Sequence, residues 1–108
     1  MSSNPTILAG EAIEVNRCVR FTTSQGIGTK TISGSTAGGV TAAAAANGTA
    51  IQFQPGPFYL LTAGGTITSG DFLVPSTNGT VVTSPTSGQF IAIESSTSGK
   101  TVNARKVS

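Results

Sequence analysis

The chain contains no histidine, no tryptophan and one cysteine, and only six basic and four acidic residues among 108. Each scarcity removes a class of chemistry. Without histidine there is no histidine base to activate a nucleophile and no histidine-based metal cluster. The lone Cys18 rules out an internal disulfide and reads as a small buried apolar residue. The charged fraction is 9%, against about 25% in ordinary globular chains. The cations Arg17, Arg20, Lys30, Lys100, Arg105 and Lys106 are scattered, apart from the last pair, and lack the dense basic patch with interleaved aromatics of a nucleic-acid binder. No apolar run approaches the roughly 20 residues of a membrane-crossing helix. Met1-Ser2-Ser3-Asn4-Pro5 shows neither the basic nor the apolar region of a signal peptide. The expectation is a chain made in a cytoplasm, with no nucleic-acid, membrane or cofactor partner. A surface so poor in charge is weakly protected as a free monomer, which points to a surface covered in use.

The acids are equally sparse. Glu11 and Glu14 stand three apart and face opposite sides of an extended strand, so with Asp71 and Glu94 they read as solvated turn residues, not an acid/base pair. No enzyme is expected. The stretch Glu94-Ser95-Ser96-Thr97-Ser98-Gly99-Lys100-Thr101 ends in the Gly-Lys-Thr of a phosphate-binding loop and follows the strand-like Ile91-Ala92-Ile93. Such a loop must feed a helix, whose N-terminus binds the phosphate. Here Val102-Asn103-Ala104-Arg105 alternates like a strand, and Ser98-Gly99 reads as a turn between two strands.

What is plentiful is glycine, 14 residues, with serine, threonine and alanine. Short apolar or alternating stretches lie at 15–21, 50–54, 58–61, 72–74, 81–82, 90–93 and 102–105. Turn signals such as Asn47-Gly48, Gly64-Gly65, Asn78-Gly79 and Ser98-Gly99 separate them. Short strands at this spacing predict an all-β domain, a small barrel or sandwich. The run Thr41–Ala46 competes as a short helix capped by Thr41, so at most one short helical turn is expected. Residues 1–8 read as a flexible N-terminal arm, with 9–108 as a single β domain. Phe53, Phe58 and Tyr59 flank the rigid Pro55-Gly56-Pro57 turn, either as core or as an exposed docking loop. Pro55, Pro57, Phe58 and Tyr59 are the candidate interface loop.

An internal repeat is visible. Ala9-Gly10-Glu11-Ala12-Ile13 aligns with Ala63-Gly64-Gly65-Thr66-Ile67 at an offset of 54 residues, and Gly48-Thr49-Ala50-Ile51 aligns with Gly99-Lys100-Thr101-Val102 at 51. A duplication would place two similar β-motifs around one core. The first motif carries Asn16-Arg17 where the second carries Gly70-Asp71.

The layout A-G-x-x-I at Ala9, the Gly/Ala-rich middle, A-G-G-x-I-T-x-G-D from Ala63 to Asp71, the apolar strand Phe72-Leu73-Val74 with its Asn78-Gly79 turn, and G-x-T-V from Gly99 resemble the small capsid cement, or head decoration, proteins of tailed bacteriophages. The resemblance spans most of Ala9 to Val107. It implies a compact β-barrel-like virion protein that binds the outside of a capsid, clamps neighbouring subunits of the major capsid protein and stabilises the shell. It further implies a homo-oligomer, a trimer foremost, that reaches the shell through an N-terminal segment: here Ser2, Ser3, Asn4, Pro5, Thr6, Ile7 and Leu8. A tail or fibre part, or a glycan-binding module, is the alternative, although a chain without tryptophan offers little to a glycan.

Overall fold

The computed structural model describes residues 7–21 and 26–107. Nine strands run in chain order: β1 Leu8–Ala9, β2 Cys18–Phe21, β3 Ile27–Lys30, β4 Gly39–Val40, β5 Phe58–Thr62, β6 Phe72–Pro75, β7 Val81–Ser84, β8 Phe90–Ala92 and β9 Thr101–Lys106. They form two sheets, ordered β1-β3-β2-β4 and β5-β9-β8-β6-β7. The second sheet curls back on itself through the parallel Ala63–Val81 bridge, which joins the end of β5 to β7, while in the first the edge strand β1 pairs with β3 in parallel. Neither becomes a continuous closed ladder. The all-β expectation holds.

The duplication is real at the level of hydrogen bonds. Ala9 N–H donates to Thr49 O and Gly48 N–H to Ala9 O, each at 2.8 Å. Ala63 N–H to Lys100 O and Gly99 N–H to Ala63 O repeat this pair at the same distance. Ile13 and Ala45 exchange both backbone bonds, as Ile67 and Ser96 do. Thr41 N–H donates to Arg17 O, as Ala92 N–H does to Asp71 O. Turn chemistry repeats as well: Gly48 and Gly99 sit at φ 86° and 83°, and Asn16 takes φ 62° where its counterpart Gly70 takes 92°. Asparagine tolerates this left-handed region better than other side chains do, so the difference between the two motifs is conformationally conservative.

Two departures from the sequence reading have local causes. Thr41–Ala46 is not a helix. Ala42 N–H bonds to Gln52 O and Ala45 N–H to Ile13 O, while the fully buried Thr41 hydroxyl donates to Glu14 O at 2.7 Å and accepts from Arg17 N–H at 3.0 Å. Two helical turns are marginal by themselves and lose to these cross-chain bonds. The helical turn lies instead at Thr77–Gly79, a single 3-10 turn with Asn78 at φ 60°. The duplicated motifs also do not share one core. Ala9, Ile13, Val19, Ala45 and Ile51 form a cluster of the first motif. A second, larger cluster gathers Leu61, Ala63, Ile67, Leu73, Val81, Phe90, Ala92, Val102 and Ala104, and takes in Cys18, Ala37 and Val40 from the first.

That borrowing defines the junction between the motifs. On β2 and β4 the register pairs Cys18 with Val40 on the face opposite Val19. This outer face of the first sheet is what the second motif covers: Cys18 is 0% and Val40 1% exposed. Polar bonds rim it. Thr31 Oγ1 donates to Ser76 O at 2.9 Å, Arg17 Nη1 to Asn78 O at 2.9 Å, and Ala37 N–H to Gln89 Oε1 at 2.9 Å. The Gln54 amide sits on the edge of β5 as a neighbouring strand would, accepting from Leu60 N–H and donating to Leu60 O, each at 2.8 Å. Burial pushes the Cys18 thiol up to about 12. Thiolate is the reactive species, so at pH 8 the native thiol should react with a disulfide reagent roughly a thousandfold more slowly than the urea-unfolded chain, given an unperturbed value near ~8.5. Equal rates would show that the junction opens freely.

Candidate functional site

The four acids hold local structure. Glu11 Oε2 accepts from Lys30 N–H at 2.8 Å, Asp71 Oδ2 from Thr68 N–H at 3.0 Å, and Glu94 Oε2 from both nitrogens of Asn103 at 2.8 and 2.9 Å. Glu14 accepts from Lys30 Nζ at 3.1 Å, and this bond, with its own backbone N–H and the Arg17 charge, holds its carboxyl below the ordinary value of 4.5. No three His, Cys, Asp or Glu side chains converge among the described residues. The phosphate-loop-like stretch is a turn, as read: Gly99 is left-handed, Lys100 N–H closes onto Thr97 O, and β9 follows. It lines a shallow, open depression of about 620 Å³ formed mostly by threonines and serines, with Ile67, Glu94 and Lys100. Ser96 and Ser95 spend their hydroxyls there on Thr101 O and Ser69 N–H.

The candidate arm divides. Ser2, Ser3, Asn4, Pro5 and Thr6 lie outside the described residues. Ile7 and Leu8 belong to the sheet: Ile51 N–H donates to Ile7 O, and Leu8 N–H to Gly26 O, both at 2.8 Å. The candidate loop also divides. Pro55, Pro57 and Phe58 are exposed, and a cis Gly56–Pro57 bond shapes the turn. Tyr59 turns inward and meets the Phe90 ring edge-on at 5.7 Å.

Phe58 opens onto a larger surface that the sequence did not reveal. Its register partner on β9 is Arg105, Arg105 pairs with Ile91 on β8, and Ile91 pairs with Phe72 on β6. Directly paired residues share a face, so Phe58, Arg105, Ile91 and Phe72 form one row across the outer face of the second sheet. Phe58 is 58% exposed, and Ile93, just past the end of β8, is 51% exposed. Three of the four are apolar, with Arg105 between Phe58 and Ile91, and such a grouping on one sheet face marks an interaction surface more often than scattered single residues do.

No protein-family model matches the chain, and no curated protein matches it. A solved structure does. The chain superposes on the crystal structure of the head fibre gp8.5 N base of bacteriophage phi29 with a TM-score of 0.82, covering 94% of this chain and 91% of that one at 19% identity. The chain shares the fold of a phage head-fibre base. At this identity the likeness is one of fold, and it takes in both motifs and the junction between them.

Proposed function

We propose that the chain is a structural protein of a phage virion that seats on the capsid exterior and cements the shell, without catalysing a reaction. The observation that carries this reading is the fold shared with a phage head-fibre base over nearly the whole chain. The low charge, and the apolar row on the second sheet, fit a protein whose surface is covered by neighbours. Its partners would be the major capsid protein and further copies of itself, a trimer foremost. A protein that binds only the assembled shell stabilises that state by mass action, and several copies on one lattice add avidity. The neighbour is itself named as a fibre base, which favours as second reading a module that anchors a fibre to the head.

Co-sedimentation with undecorated capsids of the source phage tests the proposal. Saturable binding at a copy number commensurate with the lattice is expected. Absence of binding to mature shells overturns the cement reading and leaves a tail, fibre or adhesive module. Deleting residues 1–6 is expected to weaken capsid binding at least about tenfold, as for loss of a contributing segment in a multivalent contact, with the unfolding midpoint unchanged. The deletion must stop before Ile7, because Ile7 and Leu8 are bonded into the sheet.

A further inference from the structure

The two motifs are joined head to tail, and this leaves each with one unmatched surface. On the first motif, the outer-face pair Cys18 and Val40 is buried by the open end of the second motif's core, where Tyr59, Phe90 and Lys106 stand against Ala37, Gly39 and Val40 around a small void of about 60 Å³. On the second motif, the repeat-equivalent pair is Phe72 and Ile91. Among the described residues nothing covers it to the same degree: Phe72 and Ile91 are only half-buried, in line with the exposed Phe58.

A complementary surface is exposed on the first motif, next to the junction, with which it shares Ala37 and Gly38. The open end of the first motif's core, equivalent to the Phe90 end of the second, is closed by Phe21 and Phe53. Their rings meet edge-on at 6.1 Å, and Phe21 is 49% exposed. Glycines let these rings lie flat on the backbone: a Cβ at Gly38 would fall 2.7 Å from the Phe21 ring, and one at Gly39 2.5 Å from the Phe53 ring. Beside them Arg20, Phe21 and Ser35 to Gly38 frame an open depression of about 410 Å³.

We infer that the Phe72–Ile91 face of one copy docks on the Phe21–Phe53 end of a second copy, repeating between chains the apolar contact that joins the two motifs within the chain. The occupant is a second copy because the chain already shows what covers this face in its first motif: the core end of a motif of the same kind, which the next copy presents at the half-exposed Phe21. The net charge of +2 opposes the approach of two copies only weakly. Such a contact is heterologous, using different patches on the two partners, and it closes into a ring or runs on as a filament according to the rotation it imposes. The contact is independent of capsid binding, and its failure is read on the isolated chain.

Sedimentation velocity of the full chain tests it. The wild type is expected to self-associate with rising concentration. Ile91→Glu, at the face, and Phe21→Ser, at the core end, should each sediment with the mass of one chain, with native circular dichroism showing that both fold. Mixing the two variants is the decisive arm. Each keeps one intact half of the contact, so the mixture should form a 1:1 complex capped at both ends. A second pair, Phe72→Lys with Phe21→Ser, repeats the measurement should Ile91→Glu fail to fold. A Phe21→Ser chain that still self-associates overturns the inference in favour of a face-to-face dimer. A wild type that stays monomeric also overturns it, and loss of capsid binding by Ile91→Glu would then assign the face to the shell.

Discussion

Phe90→Ala is expected to lower the free energy of unfolding by about 3–5 kcal/mol, the range for removing a buried aromatic ring. Against a total of roughly 5–15 kcal/mol for a domain of this kind, that leaves the protein close to unfolding. Phe90 is 1% exposed and is among the largest fully buried side chains. Tyr59 packs edge-on to it at 5.7 Å, and Lys106 Nζ lies 5.4 Å from its ring centre. The site cannot collapse cheaply, because its neighbours come from both motifs and are pinned by the Gln89 bonds to Ala37 and Ser35. The repeat shows how much the position matters. Its counterpart on the first motif is Gly39, and there the ring of Phe53 fills the space instead. The counterpart of Phe53 is the small Ala104. The ring that fills this place thus comes from Phe90 itself in the second motif and from Phe53, across from Gly39, in the first. Urea unfolding followed by tyrosine fluorescence measures the loss. A change below about 1 kcal/mol would mean that the two motifs are not packed through Phe90.

Gly79→Ala is expected to cost about 3 kcal/mol or more, from two sources that a control separates. Gly79 sits at φ 73°, where a side chain costs about 1–2 kcal/mol. Its Cβ would also fall 2.7 Å from Cys18 O and 2.9 Å from Arg17 Cβ. A carbonyl on β2 cannot swing aside as a long side chain can, so the 3-10 turn must lift off the first motif and strain the Gly79 N–H bond to Thr31 O. Gly48→Ala and Gly99→Ala carry the same left-handed backbone, at φ 86° and 83°, with nothing within 4 Å of the new Cβ. They should cost only the backbone term. The difference between Gly79→Ala and these two measures the tightness of the junction, and equal losses at all three sites would show that the junction is loose.

The inferred contact between copies rests on the asymmetry of this junction. A tandem of two motifs joined through one outer face and one core end has, by construction, one outer face and one core end left over. Two motifs related by a symmetric contact would instead leave two surfaces of the same kind. A closed assembly of copies would bury both and present the remaining surface to a shell.

The strand content, the turns and the duplication were legible in the amino-acid sequence, because they depend on local rules. Asn-Gly and Ser-Gly turns demand left-handed backbone, alternation marks a half-buried strand, and Gly48 and Gly99 align because both close the same turn. The sequence alone also settled that Gly-Lys-Thr at 99–101 belongs to a turn entering a strand. The exposure of the Pro55–Phe58 loop was legible only as one of two alternatives. Three things were decided by tertiary contact. Thr41–Ala46 has helical composition, but bonds from Ile13 and Gln52, far away in the chain, extend it. Arg17 breaks the Gly-Asp pattern of the repeat because its side chain reaches Asn78 O across the junction, a partner 61 residues away. The row Phe58, Arg105, Ile91 and Phe72 is drawn from four strands whose register no local pattern specifies. Pairing between distant strands is set by which faces can be buried together, and in this chain that choice buries Cys18 and Val40 while leaving Phe72 and Ile91 only half covered.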